Sequence, residues 1–71
     1  MKEVYVFKTS VKTPAQIKIA NSILSAIDSV LRVDFDPDDC DRIVRVESNE
    51  KIASKVIGLF KANGFFCEEL T

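Results

Sequence analysis

The spacing of apolar residues switches between a period of two and a helical period along the whole chain, and no other feature restricts the fold as much. From Glu3 to Thr9, Val4 and Val6 fall on one face and Tyr5 and Phe7 on the other, the pattern of a strand. Thr13-Pro14-Ala15-Gln16 then spells a helix start. Thr13 suits the cap, Pro14 the first helical position, and Gln16 completes a capping box. Ile19, Ile23, Ile27 and Val30 follow at helical spacing, with Ala20, Leu24 and Leu31 widening the stripe, which predicts a helix from about Pro14 to about Ser29. Residues 32–36 and 42–47 alternate again around the turn residues Pro37-Asp38-Asp39, which predicts an antiparallel hairpin. Ser48-Asn49-Glu50 offers a second helix cap before Ile52, Val56, Leu59 and Phe60. Asn63-Gly64 supplies the stop, and Phe65 to Leu70 suits a short last strand.

The resulting order, β-α-β-β-α-β, predicts an α+β fold of the ferredoxin-like kind. Its sheet is four-stranded and antiparallel with two helices on one face, in one domain over residues 1–71. Such a chain lies near the lower size limit for an unaided core, and a 46% hydrophobic content with two glycines and two prolines favours building one. The same size leaves little room for an elaborate active site. Ten basic residues against eleven acidic ones give a net charge of −1, without the basic excess that phosphate binding requires, so no nucleic-acid partner is expected. No run reaches the length of a membrane helix, and the opening residues MKEVYVFK do not read as a signal peptide. The expectation is a soluble cytoplasmic protein. Its two cysteines, Cys40 and Cys67, should then be reduced thiols rather than a disulfide framework.

The stretch Phe7 to Ala15, the apolar pair Ile19 and Ile23, and the tail from Ile52 to Glu69 with its Asn63-Gly64-Phe65 turn together resemble the heavy-metal-associated (HMA) domains. That family includes copper chaperones and the N-terminal modules of metal-transporting ATPases. The resemblance spans nearly the whole chain and implies a fold, together with a metal loop of the form Met-x-Cys-x-x-Cys after the first strand. At that loop this sequence departs. Ser10 stands at the Met position, Lys12 at the first Cys and Ala15 at the second, while a shift of one residue puts Thr13 and Gln16 there instead. Neither alignment supplies a thiolate, and a thiolate pair is what gives such a site its preference for Cu(I) or Zn(II). The loop is therefore read as a well-made helix start, and the functional alternative is a weak anion contact by Lys12 beside exposed amides.

Cys40 and Cys67 form the alternative metal site. The first β-to-α loop, the hairpin turn and the last α-to-β turn share one end of the predicted fold, which brings both thiols to that end. The predicted strand order works against shared coordination, because it places the hairpin and the last strand on opposite sides of the first. Histidine, the commonest metal ligand and general base, is absent from the chain.

Asp34, Asp36, Asp38, Asp39 and Asp41 make an acidic hairpin tip. A calcium loop would need Gly at Asp39 and Glu at Arg45, so the acids read as a charged edge that discourages aggregation, with docking of a basic partner left open. Ser22, Ser25 and Ser29 have no evident base, and no phosphate loop or nucleophile elbow is present, so no enzyme activity is expected. The functional expectation is a non-catalytic protein-interaction or regulatory module without a cofactor, self-associating through an edge strand. The alternative is a protein that binds or senses Cu(I) or Zn(II) through Cys40 and Cys67.

Overall fold

The computed structural model describes residues 2–36 and 42–70. The elements are β1 (Glu3–Thr9), α1 (Pro14–Ser25), β2 (Val30–Asp36), β3 (Ile43–Ser48), α2 (Ala53–Ala62) and β4 (Cys67–Leu70). The strands form one antiparallel sheet in the order β2-β3-β1-β4. This is the predicted ferredoxin-like arrangement, with the hairpin and the last strand on opposite sides of β1.

The register decides which alternating set is buried. Tyr5 faces Val46 and Phe7 faces Val44 across β1 and β3, and Val33 and Phe35 continue these rows on β2. Phe7, Val44 and Val46 are buried, whereas Val4, one residue out of phase on β1, is 55% exposed. Both helices cover the buried face, α1 contributing Ala20 and Leu24 and α2 contributing Val56 and Phe60 to the same core. Each such large side chain stabilises the fold by about 1.5–3 kcal/mol relative to exposure, so a chain this small depends on all of them.

α1 begins where its sequence says but ends early, at Ser25 rather than Ser29. Ala26 N–H donates back to Ser22 and Leu24, and Ile27 and Val30 each donate to the carbonyl three residues before. These tight turns let Ile27 drop into the core and β2 start at Val30. Ser29 is thus buried beyond the helix, its carbonyl accepting a 3.0 Å hydrogen bond from Asn49 N–H. Ile19, read as a core position, is 47% exposed. The buried stripe is centred on Ala20, Leu24 and Ile27, because small Ala20 allows the helix to approach the sheet on that side.

The expected cap at Ser48-Asn49-Glu50 is a turn instead. Ser48 Oγ accepts a 3.1 Å bond from Glu50 N–H at the end of β3, and α2 starts later, after Ile52, with no side-chain cap. Ile52 is buried and secures that start by packing. The far end of α2 follows its sequence signal. Gly64 takes a positive φ of 82°, Gly64 N–H donates to Lys61 and Phe65 N–H to Phe60, and the Phe60 and Phe65 rings meet at 6.0 Å. This is a Schellman ending with its apolar contact in place.

Candidate functional site

The β1–α1 loop, the return from the β2–β3 hairpin and the α2–β4 turn meet at one end of the sheet, as the topology predicts. Thr9 and Ser10 tie them together. Thr9 N–H and Thr9 Oγ1 both donate to the Arg42 carbonyl, at 3.3 and 2.8 Å, and Thr9 Oγ1 accepts from Val11 N–H at 3.2 Å. Ser10 N–H donates to the Phe66 carbonyl at 3.2 Å, while Ser10 Oγ accepts from Phe66 N–H at 2.9 Å. Val11 is buried and anchors the loop to the core.

Beyond Val11 the loop is closed by its own side chains. Gln16 N–H donates to Thr13 Oγ1 at 3.1 Å, and Gln16 Oε1 accepts from Thr13 N–H at 3.1 Å, which completes the capping box. The same Oε1 also accepts from Lys12 N–H at 2.9 Å. Two of the amides beside the Lys12 side chain are therefore occupied within the loop. Lys12 and Ala15 point into solvent and offer an ammonium and a methyl group. The set Ser10, Lys12, Thr13, Ala15 and Gln16 thus contains no soft donor, and its oxygen acceptors already serve main-chain N–H groups. These residues do not fit Cu(I) or Zn(II), which soft thiolate ligands select.

Cys67 opens β4, opposite Thr9 in the register. It is half-buried, and desolvation pushes its thiol up to about 11, away from the thiolate form that binds metal. Cys40, and with it Asp38, Asp39 and Asp41, lies outside the described residues. Of the remaining acids, Asp34 pairs with Arg32 at 3.0 Å. Among the described residues no group of three or more His, Cys, Asp or Glu side chains is placed to hold a metal ion. No helix among them is long and apolar enough to cross a membrane.

Two features here escape the sequence pattern. Thr9 follows the inward set begun by Tyr5 and Phe7, but its bond to the Arg42 carbonyl lies 33 positions away and carries no local signal. The second is a groove of about 460 Å³ between α2 and the start of β4, lined by Ile57, Lys61, Gly64, Phe65, Phe66 and Cys67. Phe66, on its rim, is 53% exposed.

No protein-family model and no curated protein sequence matches this chain. Solved structures do. Oxidised MerP from Ralstonia metallidurans is similar with a TM-score of 0.85 at 12% identity, over 100% of both chains. The N-terminal domain of ZntA in its Zn(II) form gives 0.80 at 15% identity, over 93% of this chain and 89% of that one. The apo HMA domain of the copper chaperone for superoxide dismutase gives 0.81 at 14%, over 100% of this chain and 69% of that one. The chain has the fold of heavy-metal-associated domains.

Proposed function

We propose that residues 1–71 form one HMA-type domain that works as a non-catalytic protein-docking module, with the β1–α1 loop serving as a helix cap rather than as a metal loop. The observation that carries this reading is the double use of Gln16 Oε1, which accepts from both Lys12 N–H and Thr13 N–H. The Thr13 and Gln16 oxygens thus serve the loop's own main chain, and the exposed Lys12 and Ala15 side chains offer no metal ligand. The net charge of −1 supports a protein partner over a nucleic acid. The reading also accounts for Cys67, whose half-buried thiol favours packing over coordination.

The test is an anaerobic NMR titration of the reduced, backbone-labelled chain with Cu(I) and Zn(II) in the presence of a weak chelator. Spectra unchanged at stoichiometric metal are expected. Saturable shifts clustered at residues 10–16 and Cys67, lost when Cys40→Ser and Cys67→Ser are combined, would replace this reading with metal handling through the two thiols.

A further inference from the structure

The sheet has two edges, and they are not equivalent. β2 carries a register irregularity in its ladder with β3, between Val30 and Arg32, beside Leu31, which is 57% exposed. Among the described residues β4 pairs with β1 alone, without such an irregularity. Because Ser10 N–H bonds the Phe66 carbonyl, the antiparallel alternation turns the main-chain groups of Glu68 and Leu70 toward β1. Those of Cys67 and Glu69 therefore face outward, free to take another strand.

The side chains beside this edge specify what could pair with it. Glu68 points to the open face of the sheet, where Lys8 of β1 stands opposite it in the register, and Glu69 points to the helix-covered face; no ion pair of either carboxylate is among those of the described residues. A second copy pairing antiparallel through β4 would set Glu against Glu in the registers centred on Glu68 or Glu69, which is destabilising. On the helix-covered side, two residues from Glu69, Cys67 leads into the apolar groove under Ile57, Phe65 and Phe66. Lys61 also lines that groove, where its aliphatic stem can cover an apolar guest while its ammonium stays in water.

We infer that the free edge of β4 receives an extended basic segment of a partner protein as an added strand, with an apolar residue opposite Cys67 and Lys or Arg opposite Glu68 and Glu69. The inference rests on the docking role proposed above and gives its partner a chemistry. Main-chain hydrogen bonds from Cys67 and Glu69 hold the strand, the groove seats its apolar side chain, and the two carboxylates select its charge.

The probe is a blocked decapeptide of β-branched residues around a central Phe-Lys-Arg, titrated into the backbone-labelled full chain. Its control carries Phe-Glu-Asp at the centre. The basic peptide should shift residues 64–70 and slow hydrogen exchange at Cys67 and Glu69. The double change Glu68→Lys with Glu69→Lys should weaken its binding by about tenfold or more and transfer preference to the acidic peptide. Should that variant lose its dispersed spectrum, Glu68→Gln with Glu69→Gln is expected to weaken the basic peptide alone. Silence of residues 64–70 at millimolar peptide, or equal binding of both peptides, overturns the inference. So does concentration-dependent dimerisation that shifts the same residues without peptide. Failure here with a metal-silent loop sinks only the edge proposal, whereas metal-induced shifts at residues 10–16 sink the docking role itself.

Discussion

Thr9 Oγ1 donates to the Arg42 main-chain carbonyl across 2.8 Å, and it does so while Arg42 sits in the left-handed region at a φ of 52°. The bond joins the end of β1 to the residue that leads into β3, and the same oxygen accepts from buried Val11 N–H. One hydroxyl thus holds a turn conformation uncommon for arginine and satisfies a donor that water does not reach.

Replacing Thr9 by Val keeps the shape and removes both bonds. The expected cost is about 1–3 kcal/mol, because Val11 N–H is left buried without an acceptor. Thr9→Ser should retain most of the stability. Urea denaturation of the two variants measures the difference, and equal midpoints would refute the role given to the hydroxyl.

Gln16→Ala releases Lys12 N–H and Thr13 N–H to solvent, while Thr13→Ala removes the acceptor for Gln16 N–H. Each should cost about 1 kcal/mol or less, since water can replace the lost partners at this exposed loop. The double variant should lose less than the sum, because the two side chains act as one box. Amide exchange at Lys12 and Thr13 in Gln16→Ala should accelerate before that of any core residue.

Burial raises the Cys67 thiol from an ordinary 9.0 to about 11. The folded state therefore holds its proton at a pH where the unfolded chain has released one. The contribution to stability is complete below about 9 and declines as pH rises toward about 11. In a Cys40→Ala background, stability measured across that range should fall, and Cys67→Ser should flatten the decline. Alkylation by iodoacetamide at pH near 8 should be slower in the folded chain than in urea, with on the order of a hundredfold less thiolate present.

Gly64→Ala should destabilise by about 1 kcal/mol, a cost that comes from the backbone alone. The φ of 82° disfavours any Cβ, yet nothing lies within 4 Å of where that Cβ would stand. A thermal melt that moved by more than this would point to a contact missing from the turn, and an unchanged melt would remove the need for glycine.

The order of elements was readable because each segment carries its own period and its own punctuation. Thr13 and Gln16 form their box within four residues, and Asn63-Gly64 closes α2 through bonds to Phe60 and Lys61, so neighbours in sequence suffice to specify both ends. The same locality showed that no cysteine occupies the loop after β1. The misreadings share one cause. Ile19 keeps helical spacing as well as Ala20, Ile23 and Leu24 do, and only the seating of the helix on the sheet left it exposed while the others pack in or against the core. Ser48 looks like a cap in isolation, but its burial at the end of β3 commits its oxygen to Glu50 and delays α2 to Ala53.

The sequence by itself determined the six elements, their order and the chemistry absent from the first loop, because periodicity, caps and residue types act over a few bonds. Tertiary structure decided the rest. It chose which face of β1 is buried, joined Thr9 to Arg42 across 33 positions and Ser10 to Phe66 across 56, and put β4 at the end of the sheet order beside a groove. Those outcomes depend on strand register and helix seating, which are fixed when the whole core closes and not by any one segment.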